Sequence, residues 1–126
     1  MSKRIKVRIG NDGAKGFFGR AREHARKLDA GEDIAPEMTI SFENASDMMK
    51  ILSPQRVRVL RVAHQGAAPV STLASDLNRD TRAVSRDVDL LEQFGLLRTW
   101  YQANPGHGKR RIVEPCAAKF QFVATV

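Results

Sequence analysis

Thr81, Arg82, Ser85, Arg86 and Asp89 recur at the spacing of one side of an α-helix. The side chains suit recognition of a polyanion. A guanidinium fork can grip a phosphate or bond the edge of a guanine through two parallel donors. The hydroxyls of Thr81 and Ser85 reach phosphates or base edges at shorter range. Further along, Arg98 and the run Lys109-Arg110-Arg111 supply a second cationic set. Such arginines also occur on ordinary solvated helix faces. Their place directly after the turn-forming Asn78-Arg79-Asp80 favours contact with a ligand, and brings Arg79 into the same set.

The flanking residues predict the elements that would hold this face. Ser71 is placed to cap a short helix whose inner side is Leu73, Ala74 and Leu77; the small Ala74 lets a neighbouring helix cross closely. Asp80 or Thr81 then caps a longer helix from Arg82 to Phe94. Val84, Val88 and Leu91 form its apolar stripe, joined by Leu90 and Phe94, and Gly95 stops it. Carboxylates close to DNA repel phosphate, so Asp87 and Asp89 are expected to orient an arginine or to face away. Leu96 to Gln102 reads as a strand, Ala103 to Gly108 as a flexible tip and Lys109 to Val113 as the returning strand. Trp100 and Tyr101 could stack on a base, but residues of this kind in a hairpin strand more often pack against the core. Upstream, Ser53-Pro54 opens a helix that buries Val59, Leu60 and Ala63, preceded by a shorter helix capped by Asn44 or Ser46. This order lays one helix, residues 81–94, into the DNA major groove and sets a basic wing, residues 98–111, on the backbone or in the minor groove.

The N-terminal third has a different pattern. Ile5, Val7 and Ile9 alternate with Arg4, Lys6 and Arg8, as do Met38, Ile40 and Phe42 with Thr39, Ser41 and Glu43, predicting two strands. Between them Gly10 to Gly13 predicts a turn, and Phe17, Ala21, Ala25 and Leu28 predict a helix. Two strands and one helix bury too little surface to stand alone. Either Lys119 to Thr125 adds a third strand, or a second copy of the chain completes the sheet. The division expected is a strand-helix-strand extension at 1–43 that could serve dimerisation, a winged helix-turn-helix domain at 44–116 and a C-terminal strand at 117–126. The fold class is α+β.

Leu73-Ala74, Val84-Ser85-Arg86-Asp87-Val88, Leu90-Leu91-Glu92 and Phe94-Gly95-Leu96-Leu97 resemble the winged-helix core of MarR-like transcriptional regulators. The chain is more similar to small DNA-binding proteins of that superfamily in bacteria and archaea, which carry a similar Arg-Asp before the helix, here Arg79-Asp80. The resemblance covers about Phe42 to Pro115. It implies a three-helix core with a wing, and recognition positions at Thr81, Arg82, Ser85 and Arg86.

Charge agrees with an anionic partner. The chain carries a net +7 over 126 residues, unevenly spread. Residues 1–27 hold nine basic and two acidic residues, and residues 53–114 hold ten and six, whereas residues 28–52 hold one basic and six acidic. Cys116 stands alone and forms no metal set with His24, His64 and His107 at their spacings, so it is expected to be a small apolar filler. No Ser-His-Asp set, paired carboxylates or phosphate loop points to an enzyme; Gly10 to Gly16 lacks the Lys-Ser/Thr ending of a nucleotide loop. No cofactor, metal or membrane contact is expected, and the compartment expected is the cytoplasm. The expected partner is double-stranded DNA, bound by a homodimer. Two other readings are a protein partner, such as a toxin neutralised through the acidic stretch, and RNA, for which a stacking platform is lacking.

Overall fold

The computed structural model describes residues 4–9, as backbone, and residues 35–126. The expected turn at Gly10 to Gly13 and the helix through Phe17 to Leu28 lie outside them. The described elements are β1 (Arg4–Ile9), β2 (Glu37–Phe42), α1 (Ala45–Ile51), α2 (Pro54–Ala63), β3 (Ala68–Pro69), α3 (Val70–Leu77), α4 (Thr81–Gln93), β4 (Leu97–Ala103), β5 (Lys109–Pro115) and β6 (Phe120–Ala124). The fold is α+β: helices α2, α3 and α4 with the β4–β5 hairpin make a winged helix-turn-helix, and a three-stranded sheet packs against it.

Helix boundaries follow their capping residues. Asn44 Oδ1 accepts from the Asp47 amide at 2.8 Å to start α1. Ser53 Oγ accepts from the Arg56 amide at 3.3 Å, with Pro54 in the first turn of α2. Asp80 starts α4 by accepting from the Arg82 amide at 3.2 Å. Helix α3 departs from expectation. Its N-cap is Pro69, which offers no side-chain bond, and Ser71 lies inside the first turn. The reason is the two-residue strand β3, whose Ala68 and Pro69 pair with Val113 and Ile112. Pro69, at φ −62° and ψ 150°, carries the chain from that extended pairing straight into helix.

Both helix-turn-helix exits close in the same way. Asn78 adopts φ 52° after α3, and Arg79 N donates to Ala74 O while Asn78 N donates to Ser75 O. After α4, Gly95 at φ 75° donates to Glu92 O, and Leu96 N donates to Leu91 O. Each is a left-handed C-terminal turn that satisfies carbonyls at the helix end, and at Gly95 it aims the chain into the wing.

In the sheet β2 is central, with β1 and β6 on either side and both parallel to it. The chain therefore completes the sheet with its own C-terminal strand. Met38, Ile40 and Phe42 face inward, at 1, 1 and 4% exposure. They belong to one continuous cluster with Val59, Leu73, Val84, Val88, Leu91 and Val113, so sheet and helices share a core. His64 fastens the two parts. Its Nδ1 lies 2.8 Å from Leu60 O and its Nε2 3.2 Å from Ala117 O, and its ring meets Phe120 edge-on at 5.2 Å. Cys116 is wholly buried in the same core, as an apolar filler should be, and burial pushes its thiol up to about 12.

Two outcomes follow. Leu91→Ala should destabilise the fold by about 3 kcal/mol in urea denaturation, the usual cost of emptying a filled core site. Cys116 should stay unlabelled by a thiol reagent in the native protein and react only on unfolding, because the thiolate is the reactive form; rapid labelling of the folded chain would contradict this burial.

Candidate nucleic-acid interface

The first turns of α4 point Thr81, Arg82 and Arg86 into solvent, with Ser85 half-buried among them. Arg86 Nε lies 3.4 Å from Arg82 O, one turn back, which lays the Arg86 side chain along the helix. Val84, Val88 and Leu91 occupy the opposite side at no measurable exposure, so packing fixes the rotation of the helix and with it the direction of the arginines.

The carboxylates of α4 are held by other arginines. Asp87, with 13% of its side chain exposed, accepts from Arg79 Nη1 at 2.8 Å and from Arg56 Nε at 3.3 Å. Arg56 Nη1 also donates to the carbonyls of Lys50 and Ile51 at 3.0 and 3.1 Å. One carboxylate thus ties the turn before α4 to the start of α2 and the end of α1. Asp89 accepts from Arg111 Nη1 at 2.6 Å, and Glu92 accepts from Arg111 Nη2 at 3.1 Å and from the Thr99 hydroxyl. The wing is stapled to α4 by these bonds. Arg98 Nη2 donates to Glu114 Oε1 at 2.7 Å across the hairpin.

Strand register sets where the wing points. Thr99 meets Glu92, and Arg111, opposite Tyr101, meets Asp89 one turn earlier in α4. The hairpin is therefore tied to the second half of α4, at Asp89 and Glu92, and its strands continue past these ties to the tip, Asn104 to Gly108. Lys109 and Arg110 are exposed there. The tip is closed by Asn104 N donating to Gly108 O and His107 N to Asn104 O, at 2.7 and 2.8 Å, with Pro105 and Gly106 (φ 81°) at its turn.

The nine expected contact residues thus fall into two groups. Thr81, Arg82, Ser85 and Arg86 on α4, with Lys109 and Arg110 on the wing, are accessible, Ser85 partly so. Arg79, Arg98 and Arg111 are each 17% exposed at the side chain and face carboxylates of the same chain. The placement of Asp87 and Asp89 against arginines agrees with the sequence reading. That of Trp100 and Tyr101 does not: they are 40 and 66% exposed. They sit where the hairpin has already risen off the core, past the buried Leu97. Arg56 was missed as a positioning residue. It is 31 residues from Asp87, and no local spacing signals that pairing.

A helix presented after a tight turn, with a stapled basic hairpin following it, defines the class as winged helix-turn-helix. The HVO_A0114 family matches residues 51–114, half of the chain, and the chain belongs to that family. Among solved structures, one similar protein is described as a possible transcriptional regulator from Methanosarcina mazei Go1. It shares 19% identity over 56% of this chain and 62% of that one, with a TM-score of 0.49. No curated protein matches the chain. Among the described residues no helix is long and apolar enough to cross a membrane.

Removing the Asp87 carboxylate strands two guanidinium groups in a largely desolvated place. Asp87→Ala should therefore cost about 2–3 kcal/mol of stability, whereas Arg82→Ala on the open strip should change it by less than about 0.5 kcal/mol. Thermal unfolding of the two variants checks the contrast, and similar melting temperatures would contradict the positioning role of Asp87.

Proposed function

We propose that the chain binds double-stranded DNA as a transcriptional regulator of the MarR-like kind, seating the first turns of α4 in the major groove and resting the wing tip on the backbone. The observation that carries this reading is the accessible strip Thr81-Arg82-Ser85-Arg86, from which the neighbouring carboxylates Asp87, Asp89 and Glu92 are drawn aside by Arg56, Arg79 and Arg111. An anionic duplex would meet the exposed Arg82 and Arg86 there, with Asp89, 54% exposed at its side chain, paired to Arg111.

Roles divide accordingly. Arg82 and Arg86 face base edges or flanking phosphates, with Thr81 and Ser85 as short-range donors. Lys109 and Arg110 hold phosphate beside them. Arg79, Arg98 and Arg111 support the geometry from within. The function is binding rather than catalysis. A protein partner on the acidic stretch 28–52 has less support, since Glu37 and Glu43 are themselves engaged in interactions.

Fluorescence anisotropy on the chain's own upstream region and on random duplex tests the reading. Binding should weaken steeply with salt, with a log-log slope no shallower than roughly −3 per copy if Arg82, Lys109, Arg110 and part of Arg86 each displace a counterion. Arg86→Ala should weaken the specific duplex by about 1–3 kcal/mol and random duplex much less, while Arg110→Ala should weaken both alike and flatten the slope by about 1. Duplex binding that is absent, or indifferent to salt and to both substitutions, would end the proposal.

A further inference from the structure

Among the described residues, no strand lies against the outer edge of β6. We propose that this edge pairs with the same edge of a second copy of the chain, antiparallel and about a two-fold axis at Phe122, joining two three-stranded sheets into one.

The backbone directions allow it. Met38 N donates to Lys119 O, and Ala45 N donates to Thr125 O. The odd-numbered residues of this stretch therefore turn their polar groups toward β2. By the alternation of a strand, Phe120, Phe122 and Ala124 turn theirs outward. A two-fold axis at Phe122 sets Phe122 opposite Phe122 of the second copy, and Phe120 opposite Ala124 of the second copy. All three outward residues then exchange both bonds with their partners. No other antiparallel register of these strands engages all three.

The side chains agree. Phe120, Phe122 and Ala124 pack on the shared core, yet stay half-buried, while Met38, Ile40 and Phe42 beside them on β2 are buried. The difference is that β2 has a strand on each side. Phe120 and Phe122 stack at 6.2 Å and 24°, and the axis would extend that row across to the second copy. Edge strands are usually guarded by charge, proline or a bulge. The residues Phe120-Gln121-Phe122-Val123-Ala124 carry no charge and no proline in a chain that is 28% charged. Two copies of a +7 chain repel, and this strip adds no charge of its own to that repulsion. The same edge on both partners is the self-complementary contact that closed two-fold assembly requires.

Sedimentation equilibrium of the full chain should give twice the 14.0 kDa chain mass. Ala124→Pro removes an outward N–H without touching the β2 ladder, so it should give monomer with an unchanged circular dichroism spectrum. A second variant does not depend on tolerance of proline. Residues 121 and 123 of opposite copies would face each other as a non-bonded pair at about 4.5 Å between Cα atoms, within disulfide reach. Gln121→Cys with Val123→Cys should thus yield a covalent dimer on oxidation, while Ala118→Cys should not. A wild-type chain that sediments as monomer overturns the proposal. So does a dimer that survives Ala124→Pro and leaves the double-cysteine variant unlinked. Neither readout involves DNA, so failure here leaves the duplex-binding reading standing.

Discussion

Asp87 sits in the middle of α4 with only 13% of its side chain exposed, and it accepts from guanidinium groups of two other segments. A carboxylate so placed is costly to desolvate unless its partners are fixed, and these partners are fixed: Arg79 by the left-handed turn before α4, and Arg56 by the carbonyls that end α1. The pairing converts a potential repulsion toward a polyanion into a clamp. It also sets the distance between the turn and the helix it precedes, on which the direction of Arg82 and Arg86 depends.

The wing is governed by the same logic at the other end of α4. Arg111 bridges Asp89 and Glu92 from the strand opposite Tyr101, so the hairpin is held along the helix rather than swinging from Gly95. The two clamps are of opposite origin. In one, a helix acid gathers arginines from the turn and from α2; in the other, a strand arginine gathers acids from the helix. Between them lies the apolar stripe Val84, Val88 and Leu91, the buried side of the helix, which settles which way the remaining face looks.

Much of this was legible in the residues, because it depends on local periodicity. The α4 stripe, the caps at Ser53 and Asp80 and the stop at Gly95 are all read from neighbours within a turn or two. What was not legible depends on distant pairing. Strand β3 exists because Ala68 and Pro69 find Val113 and Ile112, and that pairing moves the start of α3 away from Ser71. Arg79, Arg98 and Arg111 look like Arg82 and Arg86 in sequence. Only the three-dimensional position of their carboxylate partners separates them. Trp100 and Tyr101 were misplaced because aromatic character argues for burial, whereas register carries them up the hairpin and off the core.

Thr81, Arg82 and Arg86 lie on the open face of α4, and the arginines that brace the scaffold are different ones. Thr81, Arg82 and Arg86 can therefore be exchanged one at a time without loosening the molecule that presents them. After gene duplication, such a chain would be free to vary that face while its fold stayed under the same selection.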